Sequence, residues 1–167
     1  GYCRLENSQA CLLLDVGRVG PDYLPGHAHA DTLSFELSIA SERILVNSGT
    51  SEYEIGERRQ WQRGSAAHNT VVTNGLDSSE VWGGFRVARR AYPSETSIDA
   101  TNERVVLCGS HSGYRWLKGR PTHQRTWTLS EDSLIVDDQV SGNFDSALAF
   151  YHFTPKGVLR QLGLSLY

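Results

Sequence analysis

Apolar and polar residues alternate along much of this chain in short runs, a pattern that predicts β-strands. In residues 32–40, Leu33, Phe35, Leu37 and Ile39 occupy every second position, with polar residues between most of them. A period of two is that of a strand with one buried face. Short runs of this kind recur at intervals of about 8 to 12 residues. They lie at residues 2–7, 11–16, 44–46, 70–73, 85–92, 105–108, 126–129, 134–140, 147–153 and 158–164.

These runs indicate an all-β protein, an antiparallel β-sandwich or barrel with about ten to twelve strands and no long helix. Asn74 and Gly75 are a strong signal for a tight hairpin turn. Residues 51–67 form the longest polar stretch, which predicts a loop with at most a short helical turn. Loops of this length inside compact domains are often functional.

The composition is that of one globular domain, residues 1–167, and it argues against several partners. Apolar residues make up 39% of the chain and charged residues 21%, so a core can be buried without crosslinks. The net charge is −3 and no basic run exceeds two residues, which argues against a nucleic-acid partner. No apolar run reaches the length of a membrane span. The three cysteines, Cys3, Cys11 and Cys108, form no C-x-x-C pair. Cys3 and Cys11 could bridge across a hairpin, but buried or free thiols are the favoured prediction for all three.

Three histidines and an asparagine next to predicted strands are the candidates for chemistry. His27 and His29 stand two residues apart before one strand, Asn47 ends the next, and His68 begins a third. If His27 and His29 enter a strand, both rings project from the same face. Neighbouring strands then bring Asn47 and His68 to the same place. Three imidazoles and an amide on one side of a sheet predict a metal or sugar site.

The segments around these residues carry a family resemblance. They read GHAHADTLSFEL at residues 26–37, ILVNSGT at 44–50 and RGSAAHNTVVTNGLDSSEVWGGFRVARRA at 63–91, with weaker matches at 111–117, 123–129 and 150–155. Together they resemble the C-terminal domain of the heparinase II/III-like polysaccharide lyases over almost the whole chain.

This resemblance implies a stacked two-sheet β-sandwich that follows an N-terminal helical toroid in a longer two-domain lyase. Such enzymes cleave uronate-containing acidic polysaccharides, of heparin or heparan type or of alginate type, by β-elimination in the cleft between the domains. The family's catalytic tyrosine and carboxylate-binding asparagine belong to the toroid. The implied partners are the polysaccharide and the toroid, and the implied location is the bacterial periplasm or the cell exterior.

The chemistry of β-elimination explains which residue types matter. The C5 proton of a uronate becomes removable when the charge on its carboxylate is neutralised. A base takes that proton and an acid protonates the departing oxygen, and histidine suits either role near neutral pH. By its position in the family motif, His27 is the expected catalytic residue.

By the same resemblance, His29 and His68 are expected to bind a structural zinc ion, and Asn47 stands at the third ligand position. Several family members carry an aspartate where this chain has Asn47, and a neutral amide is a poor zinc ligand. Either water or another carboxylate, such as that of Asp31, completes the site, or an amide–imidazole network replaces the metal.

Arginines and aromatic residues near the motifs are the candidates for binding the polysaccharide. Arg63 and Arg86 are expected to pair with carboxylates or sulfates, since guanidinium groups suit both anions. Trp82 and Tyr53 are expected to stack on sugar rings, because aromatic faces suit the apolar face of a pyranose.

Two other function classes stay open at the level of sequence. A carbohydrate-binding module without catalysis shares the same sandwich and the same surface aromatics. A cupin-like metal enzyme also opens a strand with an H-x-H motif, but there a glutamate follows the second histidine closely. Here Glu36 is seven residues after His29, which disfavours that class. The remaining histidines have no local partner and are predicted to be structural: His111, His123 and His152.

Overall fold

Antiparallel strands dominate the structure, a computed structural model that describes residues 1–156. One α-helix, α1 (Glu57–Arg63), lies among them and is followed by a 3-10 turn at Ser65–Ala67. The strands of the described part are β1 (Tyr2–Glu6), β2 (Ala10–Asp15), β3 (Phe35–Ile39), β4 (Glu42–Leu45), β5 (Val71–Thr73), β6 (Val81–Trp82), β7 (Arg86–Val87), β8 (Pro93–Ala100), β9 (Arg104–His111), β10 (Thr122–Ser130), β11 (Leu134–Ser141) and β12 (Ala147–Ala149). The strand predicted at residues 158–164 lies outside the described residues.

Two four-stranded antiparallel sheets form a sandwich. The first sheet has the strand order β1-β2-β3-β4 and the second has the order β11-β10-β9-β8. Within each sheet, neighbouring strands are also consecutive in sequence, so each sheet is a meander. Strands β5 and β12 pair in one short ribbon, and β6 and β7 pair in another. The predicted all-β antiparallel sandwich without long helices is confirmed.

The core lies between the two sheets and is built from alternate residues of their strands. Leu12 and Leu14 of β2 and Leu107 of β9 have no exposed surface. Phe35 of β3 meets Trp127 of β10 edge to face, with 6.1 Å between the ring centroids. Two apolar faces meeting in this way are what the period of two along the strands predicts.

The side chain of Asn69 joins three separate segments beside this core. Its Nδ2 donates hydrogen bonds to the carbonyl oxygens of Phe35 at 2.7 Å and Val46 at 3.2 Å. Its Oδ1 accepts a hydrogen bond from the backbone N–H of His152 at 2.6 Å. Asn69 is 1% exposed, so these bonds satisfy a buried amide and fix the neighbouring His68 relative to β3 and β4.

Three strands differ from the sequence pattern. β3 begins at Phe35 instead of residue 32, because Leu33 has a φ of 62° and this left-handed conformation ends an extended run. The run at 85–92 shortens to Arg86–Val87. Strand β8 shows no apolar alternation because it is a mostly exposed edge strand, with Pro93 at its first position, where proline is tolerated.

Several smaller predictions agree with the structure. Asn74 and Gly75 have φ values of 54° and 68°, as a tight hairpin turn requires. The three cysteines are free thiols. The predicted short helical turn in the long polar stretch is α1, which has seven residues. Within residues 1–156, no helix is long and apolar enough to cross a membrane.

Candidate functional site

The structure brings His29 and His68 into contact although 39 residues separate them. Nδ1 of His29 lies 3.3 Å from Nε2 of His68. Two nitrogens that bind one tetrahedral zinc ion at about 2.05 Å are themselves about 3.3 Å apart. The ligand atoms of His29, His68 and Asp31 all lie within 4.8 Å of one another. The two imidazole nitrogens thus have the spacing of two zinc ligands, and the carboxylate of Asp31 lies near them.

Asn47 lies behind His68 and not beside the point where the two imidazoles meet. Its Oδ1 is 3.0 Å from Nδ1 of His68, so it accepts a hydrogen bond from that nitrogen. The bond keeps the proton on Nδ1 and leaves the lone pair of Nε2 directed at His29. The expectation that Asn47 is a direct ligand is corrected accordingly, because its amide orients a ligand from the second layer. The carboxylate of Asp31 lies close to the same pair of imidazoles.

Thr50 and Arg59 contact Nε2 of His29, on the opposite side of the ring from His68. Oγ1 of Thr50 lies 3.3 Å from Nε2 of His29 and accepts a hydrogen bond from Nη1 of Arg59, also at 3.3 Å. That Nη1 atom is 3.4 Å from Nε2 of His29. Sequence reasoning missed both residues. The available signal was the four-residue spacing of Arg59 and Arg63, which places both side chains on one face of a helix.

Burial favours the neutral form of both imidazoles. It lowers the pKa of His29 to about 3, and nearby histidine and arginine charges lower it further. Burial also lowers the pKa of His68 to about 4, with a contribution from His152. The pKa of Asp31 rises to about 6 because its carboxyl group is buried. Neutral imidazoles are the form that binds metal, so the two histidines need no deprotonation near neutral pH.

His27 lies in a loop, where its ring is exposed between two aromatic residues. The ring meets Tyr53 and Phe85 edge on, with centroid distances of 5.7 Å and 5.9 Å. Tyr53 and Phe85 are nearly parallel, with 7° between their planes, and the guanidinium of Arg59 lies 5.2 Å from the Tyr53 centroid. The expectation that His27 and His29 share one face of a strand is wrong. Because the H-x-H motif does not open a strand, the cupin-like alternative loses its basis.

A cavity of about 320 Å³ lies beside both His27 and His29. Asp15 and Asp31 form part of its wall. Burial raises the pKa of Asp15 to about 7, and the charge of Asp31 raises it further. The volume is at the lower end of the range for small-molecule sites. Because the aspartate wall is acidic, it disfavours an anionic group inside this cavity.

The four predicted binding residues divide into exposed and buried ones. Tyr53 is 54% exposed and Trp82 is 49% exposed. Arg86 is also exposed, and its guanidinium lies 4.9 Å from the centroid of Trp82. Arg63 has no exposed surface, and its guanidinium donates only to main-chain carbonyls. The expectation that Arg63 contacts a polyanion is therefore wrong, because the ligand cannot reach it.

Comparison with known sequences finds one matching family over nearly all of the chain. The model of the heparinase II/III-like C-terminal domain matches residues 1–163. A heparin-sulfate lyase of Bacteroides stercoris is 25% identical over 138 residues, which cover 78% of this chain and 18% of that protein.

Solved structures share the fold. The heparinase III BT4657 gene product superposes with a TM-score of 0.74 and 20% identity, over 96% of this chain and 24% of that one. The heparan sulfate lyase HepC from Pedobacter heparinus gives a TM-score of 0.65 and 19% identity, over 85% of this chain and 21% of that one. The chain thus spans less than a quarter of the length of each of these relatives.

Proposed function

The chain belongs to the heparinase II/III-like C-terminal family, and on that premise we propose that it serves as the sandwich part of a polysaccharide lyase. The proposed substrate is a uronate-containing acidic polysaccharide, cleaved by β-elimination. The names of the relatives favour a heparin or heparan sulfate type over an alginate type. The observation that carries the proposal is the exposed ring of His27, held between Tyr53 and Phe85 beside a cavity.

The reaction needs groups that move protons at two atoms of the substrate. A base removes the proton from C5, the electron pair forms the C4–C5 double bond, and the bond from C4 to the glycosidic oxygen breaks. That oxygen leaves and takes up a proton from an acid. His27 is exposed, and its ring makes no hydrogen bond within residues 1–156. We assign it to proton transfer or to neutralising the uronate carboxylate. A helical toroid elsewhere in the polypeptide is proposed to supply the remaining groups.

A zinc ion held by His29, His68 and Asp31 is proposed to be structural. His68 has no exposed surface, whereas His29 and Asp31 line the cavity, so the three residues meet at the inner wall of the cavity and not at the exposed ring of His27. Bound there, the ion supplies a crosslink between the loop that carries His27 and the segment that precedes β5. His27 and the exposed aromatic residues alone contact the sugar chain in this scheme.

The exposed pair of Trp82 and Arg86 is proposed to bind the polysaccharide beyond the reacting unit. The guanidinium packs on the indole, so the two side chains present one flat surface with a positive charge. An aromatic face suits a pyranose ring, and a guanidinium suits a neighbouring carboxylate or sulfate. Tyr53 extends this surface toward His27.

The test uses the full-length protein with heparan sulfate, heparin and alginate as substrates. Product is followed by the ultraviolet absorbance of the unsaturated uronate. His27→Ala should lower kcat by at least about 100-fold, the usual loss for a proton-transfer group. Its melting temperature should stay near that of the wild type, because the ring is exposed. Tyr23→Ala changes an 88% exposed residue of the same loop and should leave the rate unchanged. Full activity in His27→Ala contradicts the assignment.

A carbohydrate-binding module without catalysis is the second candidate, and the exposed aromatics Tyr53, Trp82 and Phe85 favour it equally. The same experiment separates the two. Retention on immobilised heparan sulfate without any unsaturated product supports the binding module, whereas product formation that depends on His27 supports the lyase. A periplasmic or extracellular location is proposed on the family resemblance and is tested by cell fractionation.

A further inference from the structure

We propose that Arg63 is a positioning residue that fixes the His27–His29 segment against the β6–β7 hairpin. The proposal rests on the function proposed above, because it assigns Arg63 a role through His27. Arg63 is the last residue of α1, while His27 and His29 lie in a loop more than 30 residues earlier.

All five N–H groups of the Arg63 guanidinium donate to main-chain carbonyls. Nε and Nη2 donate to the carbonyl oxygen of Ala28, at 3.2 Å and 3.1 Å. Nη1 donates to Trp82 at 3.3 Å and Gly83 at 3.0 Å, and Nη2 donates to Arg86 at 3.0 Å. A guanidinium has five N–H donors in a fixed plane, so its capacity is used completely. Ala28 is the residue between the two histidines, and the other three acceptors surround the tip of the hairpin.

Arginine at this position carries a cost that general packing does not explain. The guanidinium is fully buried, and no carboxylate pairs with it within residues 1–156. Burial lowers the pKa of Arg63, and the charge of Arg59 lowers it further. An unpaired buried charge is unfavourable unless its donors are satisfied. Only a planar group with five donors can satisfy acceptors on both segments at once, which lysine cannot do.

The hairpin held by Arg63 touches His27 through Phe85. The Phe85 ring meets the His27 ring edge on at 5.9 Å, and the backbone after His27 is held by the Ala28 carbonyl. Arg63 therefore determines both the position of the His27 backbone and the position of one wall against its ring. Without it, the loop and the hairpin can shift independently, and a shift of about 1 Å at a reacting group costs about 100-fold in rate.

Gln60 provides the matched control on the same helix. Its Nε2 donates to the carbonyl oxygen of Val81 at 2.7 Å, so it also ties α1 to the β6–β7 hairpin. Its side chain makes no bond to Ala28. If Arg63 serves only the stability of the hairpin, Gln60→Ala and Arg63→Lys should differ in degree alone. If Arg63 positions His27, only its own substitution should alter the surroundings of that ring.

The experiment measures the His27 ring directly in the full-length protein. Histidine labelled with ¹³C at Cε1 gives a resonance that His27→Ala assigns, and the rings of Tyr53 and Phe85 shift it. Arg63→Lys should move this resonance toward its random-coil position and lower kcat by about 10- to 100-fold, with KM changed less than about threefold. Gln60→Ala should leave both the resonance and kcat near wild type. Arg63→Ala should regain the wild-type resonance on addition of millimolar guanidinium, and urea should not replace it.

The outcomes separate this inference from the function it rests on. An inactive wild type with a His27 resonance that responds to Arg63→Lys removes the lyase and keeps the positioning role. An active wild type whose resonance and kcat survive Arg63→Lys overturns the positioning role. If neither Arg63 variant folds, with or without guanidinium, the contact serves the fold as a whole and the inference is also overturned.

Discussion

Asn47 accepts a hydrogen bond from Nδ1 of His68 at 3.0 Å, and this bond directs the opposite nitrogen of the ring at His29. The amide thus offers His68 the acceptor that the hydroxyl oxygen of Thr50 offers His29, and Arg59 donates to that hydroxyl oxygen. Removing a residue that orients a metal-binding histidine in this way typically lowers the affinity for the metal by about 10- to 100-fold.

Asn47→Ala should therefore weaken zinc binding by about 10- to 100-fold while the protein stays folded. The measurement is a competition with a chromophoric chelator on the full-length protein after its metal has been stripped. Ser48→Ala, at the exposed neighbouring position, is the control and should bind like the wild type. An unchanged affinity in Asn47→Ala would show that His68 needs no such partner.

Asp31→Asn should weaken zinc binding more than Asn47→Ala does, by at least about 100-fold, because it removes a direct carboxylate ligand. The same competition measures it. Asp22→Asn is the control, since that carboxylate is exposed and bonded to Arg90. Equal zinc affinities of the Asp31 and Asp22 variants would exclude Asp31 from the ligand set.

Phe85→Ala and Trp82→Ala should affect different kinetic constants. Phe85 touches the ring of His27, so its removal should lower kcat for the polysaccharide by about tenfold. Trp82 contacts Arg86 and not His27, so its removal should raise KM with little change in kcat. Steady-state kinetics of the full-length protein give both constants. The same change in KM for both variants would mean that Phe85 is only part of the binding surface.

Asp138→Asn should lower the free energy of unfolding by about 3 to 5 kcal/mol, because it leaves a buried arginine without its charge partner. Asp138 accepts hydrogen bonds from Arg125 at 2.6 Å and 2.8 Å and from His123 at 2.7 Å, and Arg125 is fully buried. Asp137→Asn changes the exposed neighbouring carboxylate and should cost little. Urea denaturation compares the two, and equal losses would mean that the buried pair contributes nothing specific.

Stability should fall as the pH drops below about 6.5, the ordinary pKa of histidine in an unfolded chain. Burial lowers the pKa of His111 well below that value, and the charges of His123 and Arg125 add to it. Below pH 6.5, His111 therefore binds a proton in the unfolded chain but not in the folded one. Its contribution to the free energy of unfolding is fully present above pH 6.5 and falls by about 1.4 kcal/mol per pH unit below it. Asp138 contributes only at lower pH: burial opposes its charge, yet hydrogen bonds from His123 and Arg125 hold its pKa below 3.8.

Urea denaturation between about pH 7 and 5 measures this slope. His111→Phe should flatten it by about 1.4 kcal/mol per pH unit relative to the wild type, because one buried imidazole is removed. Parallel curves for the two proteins would show that folding does not lower the pKa of His111.

The sandwich could be predicted from the sequence because alternation is a local property of each strand. The edge strand β8 and the two-residue strands of the hairpin could not, since they have too little buried surface to leave an apolar pattern. The contact of His29 with His68 followed from the family motifs, but its geometry did not. It depends on the left-handed turn at Leu33 and on loop residues that have no periodic pattern.

Two sets of contacts that the sequence did not reveal involve polar groups that bond over long distances. Arg63 looked like a surface cation because its acceptors are main-chain carbonyls 19 to 35 residues away. Every residue has such a carbonyl, so the residue types in the sequence do not identify these acceptors. His111 and His123 looked isolated because their contact needs the register of β9 and β10, which places them opposite each other. The same applies to Arg125 and Asp138 on β10 and β11.

The three hydrogen bonds of the Asn69 side chain cannot all form until most of the domain has been synthesised. Its partner His152 lies 83 residues further along, so a ribosome must release most of the domain before Oδ1 of Asn69 meets the N–H group that donates to it. Contacts over such distances form late in folding. Until His152 has emerged, the amide of Asn69, and with it the adjacent His68, lacks one of the three hydrogen bonds that fix its position.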